Sequence, residues 1–388
     1  MNLMQARAEI MAMAKAGNAV LVDSQSGFGK SQMLYSVFEQ LRDEGLKTGV
    51  RWGVSTVFLA TQTPMDMVGV LFKGERKYMI DGVERTITVT DPSCPLWYMM
   101  TDGLGGPPQP AFMFDRCFLI LDEYGQGEPD TKRSAAEILL NGGTAPWYLP
   151  PGSVRVGATN VGPRYGVTKD FDFCIARRTA IHIDPDAELW LAFADKPYVH
   201  QGRKWQTTPV IKAWAKNHPD ILFEGEPKEQ GPWCNPRQLC AVDRYLQVKW
   251  EDQGNTEVDA NTITAIAGTI GQPAAQSLLA HLEFMLQLPA YEDVVADPKG
   301  TPRPTKADMQ MLMAYQLASY AKSEHLAQVI EYMTTPDAQG TKMPKDMSIT
   351  FISALLRRDY KGIVNHPAMQ AWIAKNATLV TVLSALSQ

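Results

Sequence analysis

Apolar side chains in the first half of the chain recur with two different periods. Residues 2–16 and the stretch from Lys30 to Leu41 carry them at helical spacing, which predicts two helices. Ala19-Val20-Leu21-Val22 and Ser55-Thr56-Val57-Phe58-Leu59-Ala60 read as buried strands, and Cys117-Phe118-Leu119-Ile120-Leu121 is apolar enough for a central strand buried on both faces. A further helix is expected at about 130–141, a strand over Val154-Arg155-Val156-Gly157-Ala158 ending at Thr159-Asn160, and a last strand from Thr179 to Ile183. Between 76 and 90, apolar and polar residues alternate around Asp81-Gly82, a hairpin signal, and a glycine- and proline-rich loop covers 101–110. Strands that alternate with helices imply a parallel sheet wound by right-handed crossovers. From about Asp184 helical patterns dominate, broken by proline-rich loops near 226–236, 289–305 and 334–346. The expected organisation is an α/β domain over 1–185, a helical region over 186–255 and a second helical region over 256–388.

The segment joining the first strand to its helix carries the strongest chemical signal. Asp23-Ser24-Gln25-Ser26-Gly27-Phe28-Gly29-Lys30-Ser31 reads as a phosphate-binding loop. Gly27 and Gly29 let the backbone curl so that successive N–H groups turn inward, and the helix that follows adds the positive end of its dipole. Lys30 would reach the β- and γ-phosphates and the Ser31 hydroxyl would help hold magnesium. One position departs from the pattern G-x-x-x-x-G-K-[ST]: Ser24 stands where the first glycine is usual.

Two later strand ends add to this. Leu119-Ile120-Leu121-Asp122-Glu123 delivers two acids at the carboxyl end of an apolar strand, where open α/β sheets bind ligands. Asp122 is expected to hold the metal and Glu123 to polarise the attacking water. Asn160, at the end of the next strand, can orient that water or touch the γ-phosphate. Each feature alone also fits an ordinary turn. Their order along the chain is much harder to obtain by accident.

Bulk composition narrows the partners. In 388 residues, 45% are hydrophobic and 20% charged, ordinary for a folded globular chain. The net charge is 37 − 42 = −5, and the pI is near 5.8, which argues against a nucleic-acid partner. Cys94, Cys117, Cys174, Cys234 and Cys240 form no C-x-x-C pair, which argues against zinc and suits a reducing, cytoplasmic setting. No apolar stretch approaches membrane-helix length, so no membrane association is expected.

With these residues in place, the chain resembles the AAA+ ATPases, in particular the MoxR-like branch. Ser24 to Ser31, Phe118 to Glu123 and Val154 to Asn160 are similar to that family's Walker A, Walker B and sensor 1 elements. Met65-Asp66-Met67-Val68-Gly69, the run Glu137-Ile138-Leu139-Leu140-Asn141-Gly142 and Leu149-Pro150-Pro151-Gly152 also match. The likeness spans roughly 15–250. It implies a P-loop parallel sheet flanked by helices as the AAA+ core, followed by a helical lid and a C-terminal helical region. It also implies ATP with Mg2+ as cofactors, held by Ser26, Gly27, Phe28, Gly29, Lys30, Ser31 and Gln32. An arginine finger would fall in Ile175-Ala176-Arg177-Arg178-Thr179, at Arg178 or Arg177, completing a neighbouring subunit's site. Arg237, in Asn235-Pro236-Arg237-Gln238-Leu239, takes the place of the sensor 2 arginine. The implied assembly is a homo-oligomeric ring, a hexamer, remodelling a protein client, with a von Willebrand factor A domain protein as a possible partner by family.

Two other functions compete: a DNA-associated motor or loader, and a nucleotide-gated assembly protein with little turnover, which the Ser24 departure motivates. The hairpin at 76–90 fits a client-contacting insert or an edge decoration equally. Trp147, Tyr148 and Tyr165 are aromatic candidates for client contact, with packing as the blander alternative.

Overall fold

The computed structural model of the protein describes residues 1–161, 166–168, 170, 172–176, 178–224 and 231–376. It divides into two compact units, Met1–Pro185 and Asp186–Gln388.

The first unit is built on five strands: β1 (Val20–Ser24), β2 (Trp52–Phe58), β3 (Arg116–Asp122), β4 (Val154–Asn160) and β5 (Thr179–His182). All pair in parallel, in the order β5-β1-β4-β3-β2. Alternation along each strand gives the sheet two apolar faces. Val20, Val22, Phe118, Ile120, Val154 and Val156 point to one face, under helix α1 (Leu3–Lys15) and helix α2 (Lys30–Thr48). Leu21, Cys117, Leu119 and Leu121 point to the other, where Ala135, Ile138 and Leu139 of the helix Pro129–Asn141 cover them. Phe38 of α2 meets Phe118 of β3 with ring centroids 6.2 Å apart; burying each ring is worth about 2–3 kcal/mol. The P-loop sheet flanked by helices is therefore as expected.

Several boundaries moved outward. α2 runs seven residues past Leu41 and stops at Gly49, whose left-handed φ of 75° lets its N–H cap Gly45. β2 begins at Trp52 rather than Ser55 because Trp52 is held under Gly45 and Arg116 as well as by the β3 ladder. The hairpin expected at 76–90 spans Leu71–Ile80 and Val83–Pro92, paired along its whole length. Asp81 and Gly82 both take positive φ, 52° and 76°, as a tight two-residue hairpin turn requires.

The second unit is mainly helical, from Ala187–Ala194 to Pro367–Lys375. A short antiparallel hairpin, Tyr198–His200 with Arg203–Trp205, interrupts the region expected to be wholly helical. Gln201 and Gly202 at its turn have positive φ, and Arg203 stacks on Trp205 at 4.1 Å. That pairing of a cation with an aromatic ring has no periodic signature in so short a segment. Among the described residues, no helix is long and apolar enough to cross a membrane.

Candidate nucleotide site

The register of the sheet sets the site. β1 and β4 pair so that Ser24 lies opposite Asn160, and β3 ends at Asp122. The chain leaves β1 through Gly27 (φ 85°) and Gly29 (φ 80°), then enters α2 at Lys30. Side chains rarely tolerate that left-handed backbone, so the two glycines allow the loop to close over the helix start. The first N–H groups of a helix have no acceptor within it, and α2 begins directly at this loop.

Lys30 is 7% exposed. Its Nζ donates to Ser24 O (3.1 Å), Ser24 Oγ (2.9 Å), Gln25 O (2.8 Å) and Asn160 Oδ1 (2.9 Å). Ser31 Oγ donates to Asp122 Oδ2 at 2.7 Å, and the other carboxylate oxygen accepts the Glu123 N–H at 2.9 Å. Lys30, Ser31, Asp122 and Asn160, separated by up to 130 positions, thus meet at the carboxyl edge of the sheet. Ser24 is more than a tolerated substitute for glycine. Its hydroxyl is one of the Lys30 acceptors, a role that the loop pattern alone does not disclose.

A hydroxyl and a carboxylate side by side form the oxygen donor pair that suits magnesium, which keeps most of its shell for water and phosphate. Among the described residues no group of three or more His, Cys, Asp and Glu could hold a metal. Ser31 with Asp122 is such a hydroxyl–carboxylate pair. Lys30 and the glycine turn fit a phosphate chain. Ser26 is half-buried, Gln32 is exposed, and Phe28, 7% exposed, turns into the protein.

Glu123 is half-buried and adopts the left-handed conformation, φ 53°. Few non-glycine residues take that geometry, and it costs of order 1–3 kcal/mol unless neighbours enforce it. Tyr124, which follows, is completely buried, and burial pushes its hydroxyl pKa up. Gly125 N–H donates to Thr159 Oγ1 at 3.0 Å, tying the acidic turn to the residue before Asn160.

Arg178, one of the two finger candidates, is held within its own unit. Its side chain is 8% exposed, ion-paired with Asp170 and stacked over the Tyr124 ring at 5.0 Å. The contacts that hold it come from its own unit. Arg177, the other finger candidate, and Tyr165 lie outside the described residues. Arg237 is exposed at the second position of the helix Pro236–Gln253, after Pro236 and the cap that Asn235 makes with Gln238 N–H. Of the aromatic candidates, Trp147 packs against the core and stacks with Tyr98 at 5.4 Å, whereas Tyr148 is exposed.

No protein-family model matches the chain, and no curated protein matches it. Among solved structures, NtrX from Brucella abortus in complex with ATP aligns at 14% identity, covering all of this chain and 68% of that one, with a TM-score of 0.35. Its ADP complex aligns at 15% identity over 99% and 68%, also with a TM-score of 0.35. A candidate ATPase from Cytophaga hutchinsonii aligns at 10% identity over 73% and 88%, with a TM-score of 0.30. Overlaps this loose assign neither a family nor a reaction, so the functional reading rests on strand order, loop and side-chain geometry.

Proposed function

We propose that this protein is an ATP-hydrolysing machine of the AAA+ type, with the carboxyl edge of the first unit's sheet as its nucleotide site. The observation that carries the reading is the convergence of Lys30, Ser31, Asp122 and Asn160 on one glycine-turned helix start. Lys30 binds the phosphate chain, exchanging neutral oxygen acceptors for anionic ones that add a charge–charge attraction. Ser31 and Asp122 hold Mg2+, which when bound supplies positive charge against the phosphate oxygens. Glu123, at the strand end beside Asp122, accepts a proton from the attacking water, and Asn160 orients that water or the γ-phosphate. Arg237 would report phosphate occupancy to the helical region.

By family resemblance the machine is MoxR-like: a cytoplasmic homo-oligomeric ring, hexameric, that remodels a protein client and works with a von Willebrand factor A domain partner. The domain division that goes with it is a core over 1–185, a lid over 186–255 and a C-terminal region over 256–388.

Glu123→Gln tests the chemistry. It should keep ATP affinity within about two-fold while phosphate release at saturating ATP falls about 10²–10⁴-fold, the usual contribution of a positioned general base. Unchanged release would remove Glu123 from the reaction.

A further inference from the structure

Arg178, one of two candidates with Arg177 for a neighbouring subunit's finger, is buried against the turn that carries Glu123. The surroundings of that turn explain why. Asp170 accepts from Arg178 and from Lys132 Nζ, the latter at 2.9 Å. Burial alone would raise the Asp170 pKa, but hydrogen bonds from the two cations outweigh it and hold the carboxyl below its ordinary range. Lys132, with a fully buried side chain, also donates to Thr168 O at 2.7 Å. Both cations flank one ring: Arg178 lies 5.0 Å and Lys132 5.8 Å from the centre of Tyr124.

The segment bearing Asp170 is itself stitched to the acidic turn. Thr168 N–H donates to Gly125 O and Thr168 Oγ1 to Gly127 O, each at 2.9 Å. Gly125 packs closely here: a β-carbon would collide with Thr159 Oγ1 and crowd Val167. Tyr124 is thus boxed in by two cations, a shared carboxylate and the Thr168 stitches. Glu123, immediately before it, has the left-handed backbone that needs such enforcement.

We propose that Arg178 is a positioning residue acting within its own chain: with Asp170 and Lys132 it clamps Tyr124 and so fixes the Glu123 carboxylate for water activation. This deepens the ATP-hydrolysis reading above and rests on it. It assigns to Arg178 a role opposite to a finger given to a neighbour. The stitches through Thr159 and Thr168 also join the clamp to the strand that ends at Asn160, so the water-activating acid and the γ-phosphate contact are held by one rigid block.

The test uses full-length wild type, Arg178→Ala, Arg178→Lys and Asp170→Asn. It follows phosphate release, affinity for a fluorescent ATP analogue, and hydrogen exchange of the peptide covering 122–128. Arg178→Ala should lower kcat about 10- to 10²-fold, the scale of a misplacement near 1 Å. Analogue affinity should stay within about two-fold, and exchange in 122–128 should accelerate about ten-fold as enforcement is lost. Asp170→Asn should give the same pattern, with slower release and faster exchange at unchanged affinity. Arg178→Lys, which keeps the ion pair, should recover most of the activity and serves if the alanine variant fails to fold.

Mixing Arg178→Ala with Lys30→Ala protein separates the two roles. A finger in trans would let the mixture regain activity, because one variant binds ATP and the other supplies the arginine; a clamp in cis leaves it inactive. Recovery on mixing, or unaltered exchange in 122–128, overturns the proposal. Wild-type protein that binds but does not hydrolyse ATP overturns the functional reading instead, and the exchange result still decides whether the clamp exists.

Discussion

Lys30 in the first unit and Lys212 in the second are both buried, and the two have different company. Lys30, in the first unit, donates to two carbonyls, a serine hydroxyl and an asparagine amide oxygen, all uncharged. Lys212, in the second, is 3% exposed and donates to Asp195 (3.2 Å, 1% exposed) and Ser319 (2.9 Å). Arg357 approaches the other Asp195 oxygen at 3.6 Å and pairs with Glu188 at 3.2 Å. Burial pushes the Lys212 pKa down and the Asp195 pKa up, and their mutual attraction opposes both. Neutral acceptors yield to an arriving phosphate, whereas a buried carboxylate does not. That contrast suits Lys30 to the phosphate exchange proposed above, and Lys212 to holding helices together.

The largest effect should come from breaking the second arrangement. Lys212→Met leaves buried Asp195 with the more distant Arg357 as its cationic neighbour and should cost up to about 3–5 kcal/mol of unfolding free energy in a urea titration. Adding Asp195→Leu should return most of that loss, because a buried pair replaced as a unit by apolar groups is often neutral. A double variant no more stable than the single one would show that the pair carries a stability of its own.

A smaller effect should appear at Asp243, fully buried behind Thr208 and Gln247. Burial raises its pKa to about 6, against the pull of the Thr208 and Gln247 hydrogen bonds. A carboxyl with a folded pKa above its unfolded value binds more protons when folded. Its contribution to stability is therefore greatest below about pH 4 and is lost as pH rises through about 6. Between pH 5 and 7.5 the melting temperature of wild type should fall relative to Asp243→Asn. Parallel pH curves for the two proteins would contradict that assignment.

The same contrast explains how much could be read from the chain. The sheet was legible because fully buried parallel strands are unbroken apolar runs, and the glycine loop because its backbone admits few residue types. Asp122 and Asn160 were legible as polar residues closing such runs. The clamp was less so, since Asp170, Thr168 and Arg178 belong to a segment with no period. Lys132 did leave a trace: with Ala135, Ala136 and Leu139 it occupies the apolar stripe of its helix, where a lysine needs a buried partner. The ion pair between Arg178 and Asp170 has no signature in the sequence, since neither spacing nor period links them. In the second unit Lys212 and Asp195 lie on different elements, and no local pattern announces their pairing. The exposed hairpin Leu71–Pro92 shows the reverse case: its turn was plain, but its full length depends on ladder bonds that alternation cannot count.

The most direct test of the central claim is calorimetric titration of ATP with Mg2+ into wild type and Lys30→Ala, with melting curves of both. The account predicts one site per wild-type chain, affinity lowered at least about ten-fold in Lys30→Ala on losing a charge-assisted contact, and a melting temperature without ligand that barely moves. Equal affinity in the two proteins, or no binding to wild type, would contradict it.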